Sequence, residues 1–312
     1  MDKEILNELV PNYYSTPLYD RYFSNSTLRL MLIDRNLIFK NRTLLFILFF
    51  SVIAKRLSFG QNSNVSYQAP AKKMGTLYFS WGYNRDSYSR SDIHFENKKT
   101  DNYDFTFKSA TARDRPSMER FWQPSRLTIP QYDLHIGYLF SDKHDLGIEI
   151  GWNHLKYVMN DNQIVFVHGN IRGKAINKDT LVTPDFVRFE HTDGNNYLLF
   201  NLVKKKRLLG NRTFQASAIG KLGVGPLISY SHSKMFGSYG QGPFRYEGWV
   251  TGISLGIRLN IYKYLFIQTD VQGAFADYTS IKLAADKQGR ATQQFYSLQY
   301  MGSAGINVPL HL

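Results

Sequence analysis

From Gly75 onward the chain places an apolar residue at every second position. Leu77, Phe79, Trp81 and Tyr83 alternate with Thr76, Tyr78, Ser80 and Gly82. Tyr132, Leu134, Ile136 and Tyr138 alternate with Gln131, Asp133, His135 and Gly137, and Leu146, Ile148, Ile150 and Trp152 with Gly147, Glu149, Gly151 and Asn153. A shorter run holds Leu198, Phe200 and Leu202, and four more occupy 214–224, 249–259, 265–275 and 296–312. Period two is the mark of strands with one apolar and one polar face. The runs span roughly 10–17 residues, where soluble strands average about 5–6 and a tilted membrane strand needs about 9–11. Short connections at 141–144, 208–211 and 261–263 alternate with long ones at 84–126, 159–193, 231–245 and 282–292. Aromatic residues such as Trp81, Tyr83, Tyr138, Phe140, Trp152 and Trp249 cluster at run ends, where amphipathic rings favour a lipid–water interface. Backbone groups in lipid must all be paired, so such a sheet has to close. The pattern predicts an all-β, closed, antiparallel up-and-down transmembrane barrel of eight strands. Ten or twelve remain open if 91–95 with 103–107, and 163–168 with 186–190, join the wall instead of projecting above it as hairpins.

Ahead of the alternating region, residues 44–54 (LLFILFFSVIA) form the one strongly apolar stretch. It is too short to cross a bilayer as a helix, which takes about 20 residues. Lys40 and Arg42 precede it and Ser58, Phe59 and Gly60 follow, the basic–apolar–small order of a secretory signal peptide. The expectation is therefore an export leader over 1–60, with Met31 as the true start, then a flexible lead-in over 61–74 and the barrel over 75–312.

Composition narrows the chemistry. The absence of cysteine rules out disulfides, thiolate metal sites and a thiol nucleophile. An aromatic content of 15% excludes a disordered chain. The formal charge is +13, and Lys204, Lys205, Lys206 and Arg207, with Arg212, mark the second short turn. These bases could touch anionic headgroups or cell-wall polymer, or simply be solvated, and external bases could hold lipopolysaccharide phosphates. Export removes nucleic acid from the list of partners.

The leader, the eight alternating runs and the amphipathic last run together resemble the small Gram-negative outer-membrane barrels of the OmpA/OmpX type, over about residues 75–312. The resemblance implies an outer-membrane location and no cofactor. Its implied partners are outer-membrane lipid and lipopolysaccharide, the barrel-assembly machinery and an external ligand. One departure stands out: such barrels usually end in an aromatic residue, and this chain ends in Leu312.

An eight-stranded barrel is just wide enough for side chains to fill. The inward positions include Asp133, His135, Glu149, Lys221, Arg258 and Asp270. Isolated charges there would be costly, so they must pair. They read as a salt-bridged polar plug or, alternatively, as a porin-like ion pathway.

Candidate catalytic chemistry centres on histidine. Asp92 and His94 form a weak metal-ligand pair without a completing spacing. By strand parity His154 faces lipid beside Trp152 at the outer rim, and His191-Thr192-Asp193 heads the next strand. A histidine beside a hydroxyl at the rim is similar to the arrangement in lipid A deacylases, also eight-stranded barrels, which use His-x-Ser on one strand. Here Asp193 stands where that serine belongs. Two functions follow. One is a non-enzymatic surface barrel, structural or adhesive, acting through the loops at 84–126 and 159–193. The other is a lipid-modifying hydrolase using His154, His191, Thr192 and Asp193. The sequence leans to the first, because the His-x-Ser pattern is broken and the loops are long, mixed in charge and rich in Tyr and Phe.

Overall fold

The computed structural model describes residues 73–117, 130–141, 145–283 and 288–311. The expected leader, the Met31 start, nearly all of the lead-in and Leu312 lie outside them. Fifteen strands are described. In chain order they are β1 (Lys73–Tyr88), β2 (Ser91–Asn97), β3 (Tyr103–Ala110), β4 (Ala112–Arg113) and β5 (Tyr132–Phe140). Then come β6 (Leu146–Met159), β7 (Gln163–Ile171), β8 (Lys174–Val182), β9 (Val187–Gly210) and β10 (Phe214–Ser229). The last five are β11 (His232–Met235), β12 (Ser238–Gln241), β13 (Arg245–Ile261), β14 (Leu265–Leu283) and β15 (Gly289–His311).

Eight of these strands close a ring in the order β1-β5-β6-β9-β10-β13-β14-β15, and β15 returns to pair with β1. Every pairing around the ring is antiparallel. Each of the eight alternating runs lies in one ring strand. The wall is therefore eight strands, and the hairpins stay outside it. β2 pairs with β3 as the sequence suggested. The stretch 163–168, however, pairs with β8 rather than with 186–190, of which 187–190 belong to β9 and pair with β11. The reason is local. Arg172 and Gly173 both adopt positive φ (52° and 81°), the two-residue turn that matches strand twist, and it folds β7 straight back onto β8. Phe236 and Gly237 do the same between β11 and β12 (49° and 87°). The second short turn also moves. β9 runs on to Gly210, so the chain reverses at 211–213, where Asn211 Oδ1 accepts from the Thr213 and Phe214 amides at 2.8 and 3.0 Å.

Outward positions on the ring carry Ile148, Ile150, Phe200, Leu202, Leu222, Val224, Ile253, Leu255 and Ile267, all exposed, with Leu255 at 68%. Inward positions carry Ser, Asn, Gln and charged residues, most of them buried, with one small apolar cluster of Tyr78, Leu139, Val203, Ile219 and Phe266. So broad an apolar belt on the outside of a closed barrel suits lipid, because water-facing surfaces seldom leave such a patch uncovered. Trp249, Tyr246, Tyr296 and Tyr300 edge it toward the long connections, and Phe140, Phe214, Tyr262 and Tyr264 toward the short turns.

Beyond the belt the ring strands continue into a folded cap. β2 joins the far end of β15 (Ala291 opposite Phe95), and β3, β7 and β8 follow outward in one sheet. The far half of β9 carries β11 and β12. These two extensions of the one sheet enclose an apolar core that includes Ile93, Phe95, Phe105, Phe107, Phe189, Met235 and Phe236. Phe95 packs edge-on against Phe107 and Phe189 at 5.2 and 5.6 Å, and Phe105 lies 6.1 Å from Phe236. Burial of rings on this scale explains why so much of the described part of the long connections is strand.

Candidate functional site

Ring register and side-chain alternation aim four donors at one lumen carboxylate. Glu149 on β6 accepts from Tyr78 (2.7 Å), Asn201 (3.0 Å), His135 Nδ1 (3.0 Å) and Lys221 Nζ (3.0 Å), contributed by β1, β9, β5 and β10. Gly137 makes this reach possible, because the Tyr78 ring occupies the space its Cβ would take. A second group lies beside it. Arg258 Nε donates to Gln268 (2.5 Å), and Gln268 Nε2 donates to Asp270 (2.7 Å). The Arg258 guanidinium lies over the rings of Tyr78 and Phe266, 4.3 and 4.1 Å from their centres. Tyr78 thus touches both groups. Asp133 accepts from Asn84 (2.7 Å), and Asp86 from Gln131 (2.5 Å). All six inward positions named from the sequence face the lumen. His135, Glu149 and Lys221 meet directly, Arg258 and Asp270 meet through Gln268, and Asp133 sits apart with Asn84.

The four candidate catalytic residues do not converge. His154 shares the outer face with Trp152, but it is buried against Tyr132 (5.0 Å, nearly parallel), which in turn stacks on Trp81. Its Nδ1 is 2.7 Å from Asn196 Oδ1 and so donates. His191, above the belt, is fully buried and stacked on Tyr278 at 4.8 Å. Its Nδ1 is 2.6 Å from Ser231 Oγ, and Ser231 donates to Glu247 Oε2 at 2.9 Å. Burial first, then neighbouring His232, holds the His191 pKa down to about 3. Burial pushes that of Glu247 up to about 7. The hydroxyl stands between imidazole and carboxylate and gives its proton to the carboxylate. A nucleophilic triad needs the imidazole in the middle. Thr192 is buried, and among the described residues no hydrogen bond joins it to either histidine.

Asp193 instead meets His232. Its Oδ2 is 2.9 Å from His232 Nε2, and His232 Nδ1 is 2.6 Å from the Tyr239 hydroxyl. This chain does have the imidazole in the middle, and Tyr239 is exposed. Burial first, then the carboxylates of Glu190 and Asp193, raises the Tyr239 pKa. That disfavours the phenolate a nucleophile would need.

Asp92 and His94 each have their own partners on the outer face of the cap. Asp92 accepts from Lys108 (2.7 Å) and the Ser109 amide (2.9 Å). Partial burial raises its carboxyl pKa, but these two donors outweigh that and leave it below the usual range. His94 meets Thr106 at 3.0 Å. Among the described residues no three His, Asp or Glu side chains gather closely enough to hold a metal ion. Ser231, Glu247 and Tyr239 escaped sequence reasoning. Ser231 is 40 positions from His191, and no local spacing encodes that pairing.

The ring, the polar lumen and the apolar belt define a class: the eight-stranded barrel of the outer-membrane type, here carrying a folded cap. Solved structures of small outer-membrane barrels are similar to it. Ail, the attachment invasion locus protein of Yersinia pestis, solved with the heparin analogue sucrose octasulfate, is 11% identical. That match covers 75% of this chain and 99% of Ail, with a TM-score of 0.30. The outer membrane protein OprG of Pseudomonas aeruginosa is 15% identical over 76% of this chain and 98% of its own, with a TM-score of 0.34. Neisserial surface protein A is 5% identical over 76% and 99%, with a TM-score of 0.29. At these identities the likeness concerns fold alone. No protein family matches the sequence, and no curated protein does.

Proposed function

We propose that this chain is an exported outer-membrane barrel whose cap engages an external partner. The observation that carries the reading is the cap itself. Four strands beyond the wall, β2, β3, β7 and β8, rest on an aromatic core that they share with the upper parts of the ring strands, and present a surface above the belt. That surface mixes salt-bridged charge, such as Lys108–Asp92 and Arg172–Asp101, with exposed Ile164 (70%) and Phe166 on β7. Rigid strands that display apolar side chains suit recognition, since little order is lost on binding. Lipopolysaccharide and outer-membrane lipid surround the belt in this reading, and residues 1–60 act as the leader.

One observation favours the second reading, a hydrolase: the Asp193–His232–Tyr239 chain at the cap surface. The two separate cleanly. Lipid A from cells with the protein, without it, and with His232→Ala is compared by mass spectrometry. Retention of the same cells on heparin-, collagen- or lipid-coated plates is scored beside an Ile164→Asp/Phe166→Asp variant. An unchanged lipid spectrum, with retention lost in the double variant, is the expected outcome. Loss of an acyl chain that depends on His232 would overturn it.

A further inference from the structure

The short-turn end of the barrel holds a cavity of about 620 Å³, lined among others by Lys205, Gln215, Asn260, Lys263 and Asn307. Its wall is rich in donors. Strand alternation splits the basic run on β9: Lys204 and Lys206 are exposed on the outside, while Lys205 turns inward and is half-buried. Lys263 adds a second ammonium from the turn between β13 and β14. Asn260 Oδ1 accepts from Asn307 Nδ2 at 3.0 Å, which fixes the amide and leaves its own NH₂ buried without an acceptor. Two positions along β13 on the same face, Arg258 is 1% exposed and its Nη1 also has no partner. Arg258 is close enough to Lys205 for their charges to interact. Among the described residues, neither these two cations nor Lys263 makes an ion pair within 4 Å. Asp145, the carboxylate in the lining, is exposed and attracts the Lys205 ammonium from beyond ion-pair distance. Cations drawn together around unsatisfied donors, with no carboxylate in direct ion-pair contact, make a site for an anion. The volume falls in the range of small-molecule sites and leaves room for an organic group beyond a bare ion.

We infer that this mouth binds a phosphate group, with Lys205 and Asn260 as its principal contacts, Lys263 closing the rim and Arg258 supplying fixed positive potential from behind. The phosphate could belong to a soluble phosphomonoester or to the headgroup of an inner-leaflet lipid. Calling the mouth periplasmic rests on the outer-membrane reading above, whereas the binding itself does not.

The test therefore uses the purified, folded barrel in a non-ionic maltoside, with titration followed by calorimetry. One arm uses inorganic phosphate and phenyl phosphate, and the other uses short-chain phosphatidylglycerol. Lys205→Ala and Asn260→Ala are compared with Lys204→Ala/Lys206→Ala, and a heat-modifiable gel shift checks that each variant is folded. If Lys205→Ala does not fold, Lys205→Met and Lys205→Arg replace it, with only the arginine variant retaining binding. Saturable binding that weakens at least tenfold in Lys205→Ala and Asn260→Ala, and is unchanged in Lys204→Ala/Lys206→Ala, is expected. Saturation by phenyl phosphate assigns a soluble ligand, and saturation by phosphatidylglycerol alone assigns a headgroup. Absence of saturable binding in both arms would overturn the inference. So would an equal loss in the outward-lysine variant, which would show general attraction to a basic rim. Neither result touches the cap reading, which is tested on whole cells.

Discussion

Glu149 is the side chain on which the lumen turns, because four strands donate to it and its carboxylate is wholly buried. Removing one member of such a pair strands the other in a low dielectric, a loss of about 3–5 kcal/mol, whereas replacing both is far milder. Lys221→Met should therefore lower unfolding stability strongly in lipid vesicles, and Glu149→Gln/Lys221→Met should restore most of it. Equal losses for single and double variants would show that the pair does not couple. Above the belt, His191 and Glu247 respond to pH in opposite directions. The His191 pKa is depressed to about 3, so its contribution is present above its ordinary 6.5 and is lost as pH falls toward 3. The Glu247 pKa is raised to about 7, so its contribution is present below the ordinary 4.5 and is lost as pH rises toward 7. The two slopes offset each other between about 4.5 and 6.5. Amide exchange of the cap should be nearly flat there in the wild type. Glu247→Gln should lose protection as pH falls, and His191→Gln should lose it as pH rises. A flat profile in both variants would remove the argument.

At the scale of the strand, each ring member presents one face to lipid and one to the lumen. Leu255→Arg or Ile150→Arg, on the outer face, should cost about 2–4 kcal/mol. Gln272→Ser, which loses one lumen hydrogen bond to Gln299, should cost less. Guanidine unfolding in vesicles measures both, and equal effects would mean the faces are misassigned. The wall was legible in the sequence because burial on one side enforces period two, and Ile253, Leu255 and Ile257 show it as plainly in sequence as in space. The cap was only half legible. β2 and β3 announced themselves as SDIHF and YDFTF, but the partner of β7 was decided by the Arg172-Gly173 turn, and hydrophobicity alone pointed to 186–190. His154 shows the other limit. Parity gave its face correctly, yet parity says nothing of Tyr132 lying across it. The His191–Ser231–Glu247 chain joins β9, the segment that follows β10, and β13, which are neighbours in the ring order, so strand pairing rather than any local spacing brings it together.

Taken whole, the barrel is layered along its axis. A basic cavity lies at the short-turn mouth, then a hydrogen-bonded lumen, and finally an aromatic cap that rises beyond the belt. This layering has a direction, and the proposed function depends on it: the cap must face outward and the lysine turn inward. The chain contains no cysteine, so single cysteines report on sidedness without background. Phe166→Cys on β7 and Lys206→Cys on β9 are both exposed and lie at opposite ends. A membrane-impermeant maleimide applied to intact cells should label Phe166→Cys, and should label Lys206→Cys only after the outer membrane is opened. Labelling of Lys206→Cys in intact cells, or protection of both until full lysis, would contradict the account.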